Sequence, residues 1–209
     1  MPNYNLLLEK ISENKTPIQI STSKSTAPET TTFYNLIEEA KKNNQNVIFT
    51  FTPGPFKKNE PMPADWLMTP AAVGCTAQLT AFEKKLDQLN NTLVYAVNER
   101  PSEDHVGKDG ILASKHLDNL PMISIAGTNF IKEFELPTIT VNKQEYLSRF
   151  TLAITSKGEK TIFNFPKTRL DDPLDETKGN QHIEHIQNFL GEEALQENPV
   201  SHKKRKVMQ

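Results

Sequence analysis

Cysteine is all but missing from this sequence of 209 residues: Cys75 stands alone. That excludes an internal disulfide and any metal site built from several thiolates. No apolar stretch reaches the roughly 18 residues that a membrane-spanning helix needs. The N-terminus, Met1 to Lys10, holds a short Leu6-Leu7-Leu8 run but no signal-peptide core. An excess of either charge is also lacking. Lys and Arg number 24, Asp and Glu 26, and the formal charge is −2. Such a balance argues against nucleic acid as a partner for the whole domain. These absences fit a cytoplasmic protein that uses no membrane.

Apolar residues make up 36% of the chain, enough for one sizeable core. At roughly 150 residues per domain, the length suggests one domain with appendages. Leu6 to Ile11 suits a short helix. Ser21 to Thr32 reads as a Ser/Thr-rich loop. Phe33, Leu36, Ile37 and Ala40 fall on one helical face, and the polar stretch from Asn43 to Asn46 ends that helix. Val47 to Phe51 is β-branched and aromatic, a buried strand. Thr52 to Pro70 is a loop with five prolines: Pro53, Pro55, Pro61, Pro63 and Pro70. Loops of that length inside a domain usually serve function.

After Cys75, the apolar spacing Leu79, Phe82, Leu86, Leu89 predicts a helix, and Thr92 to Val97 a strand. Strand, loop, helix and strand in that order imply a parallel pair joined by a crossover. Short helices are expected at Ile111 to Leu117 and at Asn129 to Phe134, and a strand at Pro121 to Ala126. Phe150 to Thr155 and Lys160 to Phe165 form a β-hairpin about Lys157-Gly158. Thr168 to Gly179 reads as a charged linker and Gln181 to Leu190 as a helix. The expected architecture is α/β, a central mixed sheet of about five strands flanked by helices. Residues 1–27 would be an N-terminal extension, 28–166 the domain, and 167–209 a linker, a helix and a basic tail.

Cys75 opens a helix. Exposed N–H groups and the positive end of the helix dipole favour a thiolate there, the reactive form of cysteine. Gly74 permits a tight turn before it. Thr76 and Thr69 offer hydroxyls nearby, and prolines stiffen the preceding loop. A buried, inert thiol is the alternative.

At these residues the sequence resembles the peroxiredoxins, thiol peroxidases of thioredoxin-like fold. Gly74-Cys75-Thr76-Ala77-Gln78 is similar to the family's Gly-Cys-Thr-x-Gln signature. Leu120 to Ser124 with Phe134 to Thr138, and Tyr146 to Ile154 with Gly158 and Ile162-Phe163, resemble two further family stretches in the same order. The resemblance implies that Cys75 is the peroxidatic nucleophile and Arg149 the cation beside it. It implies that Pro53, Pro70, Gly74 and Trp66 border the substrate, with Thr69 or Thr76 donating a hydroxyl. It further implies a peroxide substrate, no cofactor and a homodimer as the usual assembly. There are two departures. The family's hydroxyl three residues before the cysteine is Ala72 here and its proline seven before is Met68, so Thr69-Pro70 would be a displaced Thr-Pro step. Branches with a second cysteine place it five residues on, where this chain has Thr80. An external thiol, glutathione or a thioredoxin-like protein, would then have to reduce the sulfenic acid.

Other motifs are bland. His182 and His185 lack a third ligand with metal spacing and read as a solvated helix face. His105 and His116 show no triad partner pattern, and His105, near Glu103 and Asp104, reads as polar surface. Asp171, Asp172, Asp175 and Glu176 lack calcium-loop spacing. Lys203, Lys204, Arg205 and Lys206 form a basic tail of the kind read as a nuclear signal or polyanion patch. Two rivals to a peroxidase follow: a redox sensor that oxidises without turning over, and an interaction module with a packed cysteine.

Overall fold

The structure is a computed structural model that describes residues 4–69, 72–165 and 176–191. Its helices are α1 (Asn5–Lys10), α2 (Phe33–Lys42), α3 (Cys75–Lys85), α4 (Ile111–Ser114), α5 (Phe130–Glu133) and α6 (Glu176–Leu190). Its strands are β1 (Ile18–Ser21), β2 (Glu29–Thr31), β3 (Asn46–Phe51), β4 (Thr92–Asn98), β5 (Met122–Ser124), β6 (Thr138–Val141), β7 (Gln144–Leu147), β8 (Phe150–Ile154) and β9 (Lys160–Asn164).

Seven strands form one sheet in the order β2-β1-β5-β4-β3-β8-β9. β3, β4 and β5 are parallel, while β1 and β8 join that trio antiparallel on its two sides. The mixed α/β architecture is the expected one, with more strands than expected. β1 and β2 were not anticipated. β1 puts part of segment 1–27 inside the sheet, and Leu7 and Ile11 of the same segment are buried in the core. The expected loop from Ser21 to Thr32 therefore ends in a strand. β6 and β7 pair with each other in a separate two-stranded ribbon.

All six residues of β3 are buried, as a strand covered on both faces requires. Alternation along β3 divides the core. Val47, Phe49 and Phe51 face a layer that includes α1, α2 and α5. Ile48 faces a layer of α3, α4 and α6. Thr32 caps α2, its hydroxyl accepting the Asn35 N–H at 3.0 Å, which satisfies one of the free donors of the first turn. Phe51 and Phe150, paired across β3 and β8, stack with ring centroids 4.3 Å apart. Such a pair adds about 0.5–1.5 kcal/mol beyond its burial.

α6 begins at Glu176, so the last part of the expected linker is helical. Ile183, Ile186 and Leu190 bury against the α3 side of the core. Residues 166–175 and the basic tail lie outside the described residues. No helix among the described residues is long and apolar enough to cross a membrane.

Candidate active site

β3 ends at Phe51, and the chain turns through Thr52, Pro53 and Gly54 into the long loop. The antiparallel pairing Phe51↔Phe150 puts Arg149, just before β8, level with that turn. α3 begins at Cys75, after Gly74, whose φ of +102° is the left-handed conformation that glycine adopts without strain. The site therefore lies off the carboxyl end of a parallel strand and at the amino end of the following helix, the usual crevice of an α/β sheet.

Cys75 is 5% exposed and Arg149 4%. Two sets of forces compete for the thiol proton. Burial favours the neutral thiol, and the S–H points to the Ala72 carbonyl at 3.6 Å. The Arg149 charge, the Gly54 N–H and the N–H of Cys75 itself favour the thiolate. Burial prevails, and the thiol is pushed up to about 11. The guanidinium of Arg149 lies over the Phe165 ring, 5.4 Å from its centre.

A cavity of about 310 Å³ opens beside the sulfur. Gly74, Cys75, Thr76 and Trp66 line it, with Pro55, Phe56 and Val73 among the other walls. Trp66 is buried between Phe56 and Tyr146, with both rings edge-on at centroid distances of 4.9 and 5.1 Å. The β6–β7 ribbon packs behind Trp66, with Val141, Ile139 and Tyr146 in the same apolar cluster as Cys75 and Trp66. Leu147 N–H donates to Glu99 Oε2 at 2.6 Å and ties the ribbon to the end of β4.

The structure brings Cys75, Arg149, Gly74, Thr76 and Trp66 together. Thr69 stands apart from the cavity wall, its hydroxyl donating to the Asp65 carbonyl at 2.8 Å within a run of turns. Pro53 is buried and does not line the cavity. Pro70 lies outside the described residues.

Several participants escape sequence reasoning. Gly54 supplies an N–H to the sulfur; its only signal is a glycine between two prolines after a strand. A buried polar chain runs from α3 to α6. Gln78 Nε2 donates to Thr50 Oγ1 at 2.6 Å, the Thr50 and Thr151 hydroxyls are 3.3 Å apart, and Thr151 reaches His182 Nε2 at 3.1 Å. His182 is thus buried rather than on a solvated face, because its ring packs on Phe165 at 4.3 Å. His105 is buried as well, with Nε2 3.1 Å from Asn98 Oδ1, because it turns in beneath the end of β4 instead of facing solvent. Burial lowers both imidazoles to about 4.

The loop before Cys75 is held by charge. Arg100 Nη2 donates to both oxygens of Glu60 and to Asp104 Oδ2, each at 2.7 Å, and Lys57 pairs with Asp104 Oδ1 at 2.7 Å. No cluster of three or more His, Cys, Asp or Glu side chains suited to a metal occurs among the described residues.

Taken together, sheet order, helical layers and site position define a thioredoxin-like α/β protein with a buried cysteine at a helix amino end. The same fold is found in solved peroxiredoxins. PrxQ from Xylella fastidiosa is 17% identical, with 84% of this chain and 91% of that one covered and a TM-score of 0.52. The bacterioferritin comigratory protein of Xanthomonas campestris, described for its alkyl peroxide reduction activity, is 11% identical over 87% and 95%, with a TM-score of 0.53. Thioredoxin peroxidase I of Plasmodium yoelii is 12% identical over 85% of each chain, with a TM-score of 0.50. No family model and no curated protein matches the chain.

Proposed function

We propose that this protein is a thiol peroxidase with Cys75 as its nucleophile. One observation carries the proposal: Cys75 opens α3 beside the Gly54 N–H and the buried Arg149, at the wall of a cavity. The Cys75 thiolate attacks the terminal peroxide oxygen. The S–O bond forms as the O–O bond breaks, and the other oxygen leaves as hydroxide or alkoxide and takes a proton. Arg149 stabilises both the thiolate and the charge moving onto the leaving oxygen. Thr76, on the cavity wall, is the hydroxyl donor. Cys75 becomes a sulfenic acid. With no second cysteine in the chain, two external thiols, as glutathione or a thioredoxin-like dithiol, return it to the thiol and release water and their own disulfide. That cycle suits a reducing compartment such as the cytoplasm.

The test is a hydrogen peroxide titration of the reduced protein followed by intact mass, beside Cys75→Ser and Arg149→Ala. Rapid gain of one oxygen by the wild type, slow gain by Arg149→Ala and none by Cys75→Ser supports the cycle. Oxidation no faster than that of free glutathione rejects it.

A second reading has its own observation. A thiol near 11 is almost wholly protonated at neutral pH. A sensor oxidised once and slowly would fit that state. Repeated peroxide consumption with a thiol supply separates the two, because a sensor stops after one equivalent.

A further inference from the structure

The peroxidase cycle leaves the two histidines of α6 unused, yet one of them stands behind the arginine. Gly179 lets α6 come close to α3: a Cβ there would lie 3.0 Å from that of Ala81. One turn on, His182 points inward and is buried. Its ring packs on Phe165, with centroids 4.3 Å apart, and meets Phe82 and Phe163 edge-on. The Arg149 guanidinium lies over that same Phe165 ring. The attraction requires the cation to stand over the ring face, so turning the Phe165 ring moves the arginine.

The imidazole is fixed in turn by the buried polar chain. Gln78 Nε2 faces the Phe51 carbonyl at 3.3 Å as well as Thr50 Oγ1, so the amide is the donor at that end. Thr50 then passes its hydrogen to Thr151, and Thr151 passes its own to His182 Nε2. Every member is buried. Such a chain holds one orientation, because breaking it leaves polar groups unpaired away from water. Burial, His185 and the Arg149 charge keep the ring neutral, at about 4, so it does not repel the guanidinium.

We propose that His182 is a positioning residue for Arg149: locked by Thr151, its ring braces Phe165, and Phe165 holds the guanidinium beside Cys75. The helix α6 therefore completes a site whose reacting groups lie on α3 and ahead of β8. This rests on the peroxidase reading for the reaction that Arg149 serves. The placing of the arginine beside the sulfur stands apart from that reading.

The experiment follows oxidation of reduced Cys75 by hydrogen peroxide in His182→Gln and His182→Phe, each alone and combined with Arg149→Ala. The full chain is used, and thermal unfolding shows that each variant is folded at the assay temperature. His182→Gln keeps a partner for Thr151 but removes the ring. It should slow oxidation about tenfold, less than the roughly 10²-fold that a misplacement of about 1 Å can cost. His182→Phe restores a ring against Phe165 and should bring the loss back to about threefold or less. In the Arg149→Ala background, His182→Gln should change the rate by no more than about twofold, because the group it positions is gone. A merely structural role would cost the same in both backgrounds. That result, a His182→Gln rate equal to wild type, or His182→Phe as slow as His182→Gln overturns the proposal. Alkylation by iodoacetamide at one fixed pH separates this failure from that of the peroxidase reading, which falls if wild-type Cys75 is oxidised no faster than free glutathione. If His182→Gln and Arg149→Ala then slow alkylation alike, the brace still stands, because both take the cation away from the thiolate. Alkylation unchanged by His182→Gln removes it.

Discussion

The stem of Arg100 occupies the space where Gly54 would carry a side chain. A Cβ on Gly54 would stand 2.6 Å from Arg100 Cγ, and the φ of Gly54 is +104°. The residue that gives Cys75 an N–H is therefore held in place by the residue that clasps the loop. Gly54→Ala should cost about 1–3 kcal/mol through its backbone conformation alone. It should also turn the N–H away from the sulfur. Thermal unfolding and the rate of Cys75 oxidation should both fall, the rate by more than the stability loss explains.

Arg149 is expected to act through its charge and its reach. Arg149→Ala should slow peroxide attack by about 10²–10³-fold, the usual loss for a group stabilising developing charge. Arg149→Lys should recover only part of the rate, since an ammonium cannot span two oxygens as a guanidinium does. Stopped-flow oxidation of the reduced protein measures both.

The pH dependence of Cys75 follows from its surroundings. With the thiol pushed up to about 11 by burial, alkylation by iodoacetamide should rise roughly tenfold per pH unit from neutrality towards that value. A plateau below pH 8 would show that the cavity lets water reach the sulfur and the thiolate form.

His105 and His182 should set the acid limit of the fold. Both sit near 4 in the folded chain and near 6.5 when unfolded, so the unfolded state binds more protons between those values. Their stabilising effect is full above about pH 6.5 and is lost as pH falls through about 4. The loss is on the order of 3 kcal/mol for each. Urea unfolding across that range should show it, and His182→Gln, which keeps a partner for Thr151, should remove about half.

The Arg100 clasp predicts a local effect. Burial pushes the Asp104 carboxyl up, yet Lys57 and Arg100 outweigh it and hold the group below the usual carboxylate range. These groups are partly exposed, so Arg100→Ala should cost no more than about 1 kcal/mol of global stability. It should nonetheless release the loop from residue 57 to residue 60 and make Trp66 more accessible to acrylamide quenching.

Strong periodicity made much of this fold readable in advance. α2, β3, α3, β4 and the β8–β9 hairpin have apolar runs that only one kind of element satisfies. β1 is only four residues long, and its alternation is too short to stand out from the polar segment around it. The β6–β7 ribbon turns through Asn142 and Lys143, both with positive φ, and so lacks the glycine that usually marks a two-residue hairpin turn. Cys75 and Arg149 could be picked out by motif and order. Gly54 and the burial of His182 could not, because they depend on which strand ends meet and on polar contacts that leave no period in the sequence; Gln78 stood in the motif, but its bond to Thr50 did not show there.

The β6–β7 ribbon shares no hydrogen-bonded edge with the main sheet. It backs the chamber at one remove: Tyr146 meets the Trp66 ring edge-on, and Trp66 lines the cavity. Exchanging Tyr146 for a smaller side chain would loosen the support of that ring while the seven-stranded scaffold stayed as it is. For selection or for an engineer, Tyr146 is a set-screw: it adjusts how firmly one wall stands without touching the residues that place the sulfur and the guanidinium.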